Sequence, residues 1–433
     1  MFEKEEELLN ESKERLEQVP VPDDLVNVAI REGYLKARHK KRKLQRISWA
    51  ISIAAVLMLT FVTSIRVSPA FASAVANLPW LEPLVEMVQM DKGLEGIIKN
   101  EYYESVGISQ SKDGYTLTVD GVIIDQTGVE LFYTLDTSTG KEFSRFDKII
   151  LKNGEEDLLD NSGYSYGNHS EKHKSGNLSV YFGGEKILAS KNLTLGITLD
   201  NAQKTSFTIP FSIKNDIKKG KVYDLNETVE IDSQKIKIKE AIVSPLRVAI
   251  KLEIDSQNVM EILTFENMRL EDENGETWGS IRNGVTASGG TEDKERIFFL
   301  QSNYFREPKE LYLKIDKVQA LPKEQSYLLV DFEKKEVLNK LIDNKMQILS
   351  ITSHTLEYQI KTAEANHHIS LFSSGIDAKG KTVDISSSSS SQMEDYEYVH
   401  NLSFESEDFV NPVKLPFDYY PNYLEGSASI RIK

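Results

Sequence analysis

Residues 47–65 (ISWAISIAAVLMLTFVTSI) are nineteen consecutive residues without a charge, closed at either end by Arg46 and Arg66. As a helix the stretch is roughly 28 Å long, close to the hydrocarbon thickness of a bilayer. A core helix seldom runs so far uncharged between arginines, so the reading is a transmembrane helix. It divides a short, charged N-terminal piece from about 370 residues whose pattern is mostly that of β-strands.

Positive charge near a span stays cytoplasmic. Lys36, Arg38, Lys40, Lys41, Arg42, Lys43 and Arg46 precede the span, and only Arg66 follows it before Lys92. These seven residues set the topology, with 1–46 inside and 67–433 outside, so the protein is expected in the plasma membrane. Trp49 and Trp80 suit the membrane interface, where an indole ring is half in lipid. The competing reading is a cleaved leader, since Ala70-Phe71-Ala72 has the small-x-small form of a cleavage site. Such a leader would be about 70 residues long, far beyond the usual short basic start and apolar stretch of 7–15 residues.

The chain has no cysteine. Disulfides, thiolate metal sites and thiol catalysis are thereby excluded. An exported body without disulfides must be held by its cores, which three domains of about 100 residues can supply. Cysteine-free export points to a Gram-positive envelope. Residues 1–46 hold 11 basic and 10 acidic side chains, whereas 67–433 hold 40 and 57. An acidic exterior speaks against direct binding of nucleic acid.

The tail, 1–46, is helix-prone over 3–18, with Leu8, Leu9 and Leu16 as a narrow apolar stripe. Pro20-Val21-Pro22 breaks it, and Asp23 or Asp24 can cap a second helix by accepting hydrogen bonds from its first amides. Leu25, Val28, Ala29 and Leu35 share one flank of that helix, with Val26 and Ile30 nearby, and Leu25, Val28, Ile30 and Leu35 are the candidate partner-binding residues. Too few apolar residues are present for an independent core, so a cytoplasmic protein partner is expected, together with contact between the basic run and membrane lipid. Residues 66–104 read as a juxtamembrane helical collar.

From about residue 105 the period changes to two, the signature of strands. A similar order of pieces recurs: VELFYTL, KIILKNGEEDLL, LSVYF and LTLGI; then RVAIKLEI, MRLEDENGETW, RIFFLQ and LYLKI; then LEYQIKT, SSGIDAKGKTVDI, HNLSFE and SASIRI. The second piece of each set carries a turn glycine, Gly154, Gly275 or Gly380. The fold class is therefore mainly β, with N-terminal helices, one transmembrane helix and tandem antiparallel β-sandwich domains over 105–214, 223–333 and 338–433. Joints are expected at 215–223 and 333–340. The serine run 386–391 reads as a loop too polar to pack.

No catalytic constellation stands out, and the chain is not expected to be an enzyme or to hold a cofactor or metal. His169 and His173 lie in a Gly/Ser/Lys loop, His367 and His368 are neighbours that would face opposite sides of a strand, and 272–276 lacks the spacing of a calcium loop.

The segments VPVPDDLVNVAIREGYLKARHKKRK (19–43) and RVSPAFA…LPWLEPLVEMV (66–88) resemble Gram-positive single-pass membrane proteins with an uncharacterised membrane-proximal extracellular domain, often called anti-sigma factors or sigma-factor negative effectors. VSPLRVAI (243–250), DENGETW (272–278) and QSNYFREPKELYL (301–313) look like the immunoglobulin-like domain that often follows. The resemblance covers roughly 20–330. It implies that the tail holds an extracytoplasmic-function sigma factor while the exterior senses or binds an unknown extracellular ligand or protein. The zinc-type anti-sigma domain needs a His-x3-Cys-x2-Cys cluster, which this tail lacks. The alternative is an envelope-anchored structural or adhesive protein.

Overall fold

A computed structural model describes residues 3–17 and 91–433, apart from 139–144, 161, 169–173, 183–187, 280–285, 289–293, 363–369, 394–395 and 405–408. The chain divides into two compact units, Met1–Ser64 and Ile65–Lys433. In the first, α1 (Glu3–Glu17) is the helix expected from the composition of the tail, and Leu8 and Leu9 are exposed on it. The span 47–65 lies outside the described residues. Among those described, no helix is long and apolar enough to cross a membrane.

The second unit is mainly β and every strand pairing in it is antiparallel. It opens with helix α2 (Lys92–Lys99), and its strands fall into three modules, each with its own core. The first module holds β1 (Glu104–Lys112), β2 (Tyr115–Asp125), β3 (Gly128–Thr137), β4 (Phe146–Asn153), β5 (Glu156–Asp157), β6 (Ser162–Asn168), β7 (Lys174–Phe182), β8 (Asn192–Leu199) and β9 (Ser206–Ser212). The next strands are β10 (Lys221–Ile231), β11 (Gln234–Val243), β12 (Arg247–Ile254), β13 (Met260–Asp272), β14 (Thr277–Trp278), β15 (Thr286–Ser288), β16 (Glu295–Gln301) and β17 (Leu311–Pro322). Then come β18 (Tyr327–Asp331), β19 (Glu336–Val337), β20 (Met346–Ile351), β21 (Thr355–Lys361), β22 (Ser374–Ile376), β23 (Thr382–Gln392), β24 (Glu397–Phe404), β25 (Val413–Pro416) and, last, β26 (Ala428–Arg431).

In the first module the sheets β1-β2-β3-β7-β6 and β5-β4-β8-β9 close on one core of Leu117, Val119, Leu131, Leu195 and Phe207. The second repeats this plan strand for strand, as β10-β11-β12-β16-β15 and β14-β13-β17-β26. The expected recurrence of pieces is thus a real recurrence of topology in these two modules. The turn glycines sit at φ +66° (Gly154), +79° (Gly275) and +81° (Gly380), the left-handed region that a side chain disfavours. In the 272–276 turn, Asp272 accepts hydrogen bonds from the amides of Asn274 and Glu276 at 2.9 and 2.8 Å, as a hairpin requires.

Three expectations are corrected. SASIRI (427–432) does not complete the third module. It forms β26, pairs with β17 of the second (Leu313↔Ile430) and takes the place that β9 holds in the first. Ile430 and Ile432 bury in the second core, so the third module is an insertion between β17 and β26. The charged stretch 333–340 is no joint either. Lys335 turns at φ +59° between β18 and β19, which pair, while Leu328 and Val330 point into the third core; the passage between modules is the 3₁₀ turn Lys323–Gln325. The serine run is not a loop, because its backbone pairs with β24 as part of β23.

The third module is one eight-stranded sheet, β19-β18-β25-β22-β23-β24-β21-β20, that folds over a core shared by Leu328, Leu415, Tyr358 and Leu402. β23 passes from one half of it to the other, pairing first with β22 and then with β24.

Candidate functional site at the joint of the connector helix

The sequence KGLEGIIK gives α2 two apolar residues one turn apart, Leu94 and Ile97, both fully buried. Asp91 precedes it and caps it, its Oδ1 accepting the Gly93 amide at 2.7 Å. Two glycines let the helix approach the second module closely. A Cβ on Gly93 would lie 2.8 Å from the Ser302 carbonyl oxygen, and one on Gly96 would lie 3.2 Å from the Phe305 ring. After the helix, the Tyr102 hydroxyl donates to the Ile124 carbonyl of β2 at 2.7 Å and accepts the Lys218 amide at 3.1 Å. Glu104 accepts the amides of Lys214 and Asn215 at 2.7 and 3.0 Å. Residues 91–104 therefore fasten to the first module, to the linker after β9 and to the second module.

The same region holds a buried charge cluster. The Asp125 carboxylate accepts the Thr127 amide and hydroxyl at 2.7 and 2.6 Å and, across the joint, the Leu246 amide at 2.7 Å. Arg247 is 2 % exposed. Its Nη2 is 3.7 Å from the Glu130 carboxylate, and its Nη1 donates to the Val180 carbonyl at 3.2 Å. The guanidinium lies 4.0 Å from the centre of the Tyr181 ring, a cation–π contact strengthened by desolvation. Glu130 also accepts the Ser179 hydroxyl at 2.7 Å and the Asn177 amide. Gly128 makes room for this, since a Cβ there would meet the Val180 carbonyl at 2.0 Å and Arg247 Nη1 at 3.2 Å. Tyr181, Ile242, Ala249 and Phe299 form a small apolar patch between the two modules.

Three acids, Asp91, Asp125 and Glu130, thus share one arginine. Burial raises the Asp91 carboxyl to about 7; the Gly93 amide and Arg247 pull it down, and Glu130 pushes it up. Burial also raises Asp125, against the hydrogen bonds from Thr127 and Leu246 and the charge of Arg247. Ser244 Oγ, Arg247 Nε and Asn303 Oδ1 are buried without a hydrogen-bond partner among the described residues. Each such atom costs about 1–3 kcal/mol. These atoms subtract from the stability of the joint, which rests on the charge cluster, the Tyr181 patch and the fastenings of 91–104. Two clefts beside it have cavity volumes of about 10 Å³ each, room for about one water and far below the ~300 Å³ lower end of small-molecule sites. Among the described residues no group of His, Asp or Glu is placed to hold a metal.

The residues singled out from sequence, Leu25, Val28, Ile30, Leu35, Lys36, Arg38, Lys40, Lys41, Arg42, Lys43, Arg46, Trp49 and Trp80, lie outside the described residues. The charge cluster escaped the sequence reading. Its signal was an acid within or at the end of an apolar strand (VIID, GVELFYTL) and an arginine opening another (RVAIKLEI).

Two family matches cover parts of the chain. Residues 40–137 match the Domain of unknown function (DUF4179). Residues 220–352 match the Family of unknown function (DUF5643). The first runs from the basic stretch to the last residue of β3, and the second from the start of the second module into the third. No curated protein matches the chain. Among solved structures, a conserved domain protein from Bacillus anthracis is similar at 12 % identity over 55 % of this chain and 84 % of its own, with a TM-score of 0.35. A marsupial T cell receptor aligns at 8 % identity over 73 % and 98 %, with a TM-score of 0.15. Both scores are too low to bear on fold or function.

Proposed function

We propose that this chain is a single-pass membrane regulator of the Gram-positive cell envelope. Its cytoplasmic tail sequesters an extracytoplasmic-function sigma factor, and its immunoglobulin-like exterior senses or binds an extracellular ligand or protein. It acts in signal transduction and transcription regulation without touching nucleic acid and without catalysis. The observation that carries the reading is the order of parts along the chain: a tail helix with two exposed leucines, a basic run, nineteen uncharged residues, then only 25 residues to a connector buried in the joint. The match over 40–137 supports it, because it joins the basic run, the uncharged stretch and the connector in one domain. A force or ligand that opens the joint pulls directly on the connector, and through it on the span.

Pull-down of residues 1–46 with the sigma factor encoded beside this gene tests the reading. Binding at micromolar concentration is expected, and its absence would overturn it. The tandem modules favour a second reading, an envelope-anchored structural or adhesive protein. Under that reading an unrelated soluble sequence in place of 1–35 leaves the phenotype intact; under ours the transcriptional response changes.

A further inference from the structure

Strand β23 breaks the rules of the sheet around it. Thr382–Asp384 pair with β22, and Ile385 to Gln392 pair with β24 on the opposite side. No described strand pairs with the outer edge of Ser386–Gln392. All seven of these residues are exposed. Across the ladder, Tyr398, His400 and Leu402 turn into the core, and Gln392, Ser390 and Ser388 stand opposite them. The core-facing row of β23 is therefore bare, and the strand overhangs its own core.

Ordering each residue costs about 1–2 kcal/mol of backbone entropy, and a net hydrogen bond returns about 0.5–1.5 kcal/mol. Serine adds neither apolar burial nor strand propensity. One ladder leaves the segment near balance, and a second ladder would stabilise it. Native sheets guard such edges with charge or proline, yet 385–393 contains neither.

We propose that the outer edge of Ser386–Gln392 pairs antiparallel with the same edge of a second copy of this chain, about a two-fold axis at Ser389. The second copy is favoured by charge and by shape. With 57 acids against 40 basic residues outside the span, two copies repel over most of their surface, and this edge is a neutral stretch where they can meet. About that axis Ser387 faces Ser391 and Ser388 faces Ser390, with Gln392 facing Ser386 at each end, so no bulky side chain obstructs the approach. Hydroxyls already bridge strands in this way between Ser109 and Thr118 and between Ser111 and Thr116, at 2.9 and 2.8 Å. Seven residues bury less than the ~1,200 Å² of a stable complex, so the pairing is transient.

The absence of native cysteine makes the test clean. In the full chain in detergent, Ser389→Cys is expected to form disulfide-linked dimers on mild oxidation, several-fold above the exposed control Ser111→Cys. Ser387→Cys and Ser391→Cys alone should link poorly and a mixture of the two should link well, since these positions face each other. Ser388→Lys with Ser390→Lys should abolish linkage through Ser389→Cys while the melting temperature holds. Linkage by Ser389→Cys no greater than the control would overturn the proposal, as would linkage that survives both lysines in the folded chain.

Discussion

Arg247→Met isolates the energetic value of the joint. The substitution keeps an apolar stem of similar length and removes the charge. Glu130, 2 % exposed, is then left, among the described residues, with the Ser179 and Asn177 side chains as donors. Removing one member of a buried pair costs about 3–5 kcal/mol. The remaining donors place the expected loss near the lower end, about 3 kcal/mol, or two orders of magnitude in the docking equilibrium. Loss of the cation–π contact with Tyr181 acts in the same direction. Adding Glu130→Gln removes that stranded charge, and the double variant should recover much of the loss but stay below the wild type by what Arg247 contributes to Val180, Tyr181, Asp125 and Asp91. Urea denaturation of the four-member cycle, with hydrogen exchange across 91–104 and 244–247, reads both quantities. A single-variant cost under about 1 kcal/mol, or a double variant as unstable as Arg247→Met, would refute the reasoning.

Ile430→Ala removes a fully buried side chain that β26 supplies to the second core, and should lower stability by about 2–5 kcal/mol. Hydrogen exchange should place the loss in 221–322 and leave 105–212 protected; a loss confined to the third module would contradict the insertion. For Asp91 the docked carboxyl holds a proton that the freed one, near its ordinary value of 3.8, gives up. Docking is then strongest below about pH 4, weakens by about 1.4 kcal/mol per unit as the pH rises toward 7, and is flat above. Asp91→Asn should shallow that slope in a melting-temperature series, leaving the part of the same sign that Asp125 contributes, and an unchanged slope would show that Asp91 does not set it. Gly128→Ala must displace the Val180 carbonyl of β7, which accepts from Arg247 Nη1, so it should open the joint to exchange and loosen the β3–β7 pairing at that point while the rest of the first-module core survives.

Local pattern made the first two modules readable. Alternation in YTLTV and the turn glycines at 154 and 275 report each strand and hairpin on their own. What failed depends on partners distant in sequence. Nothing within SASIRI says that its neighbour is β17, more than a hundred residues earlier, because any strand with that alternation could pair there. The serine run carries no apolar signal, since β24 holds its backbone and not its side chains. The charge run 333–336 looks like a linker by composition, yet forms the tip of a hairpin. The joint was hidden for the same reason. Asp125, Glu130 and Arg247 are single charges in three different strands, and only the packing of two modules brings them together.

The central claim is that the tail and the β-body lie on opposite sides of a membrane, joined by residues 47–65. In this cysteine-free chain, single cysteines at Ser12 and Ser111 can be challenged with a membrane-impermeant maleimide on intact cells. Ser111→Cys should label at once and Ser12→Cys only after lysis. Labelling of Ser12→Cys in intact cells, or protection of Ser111→Cys until lysis, would contradict the account.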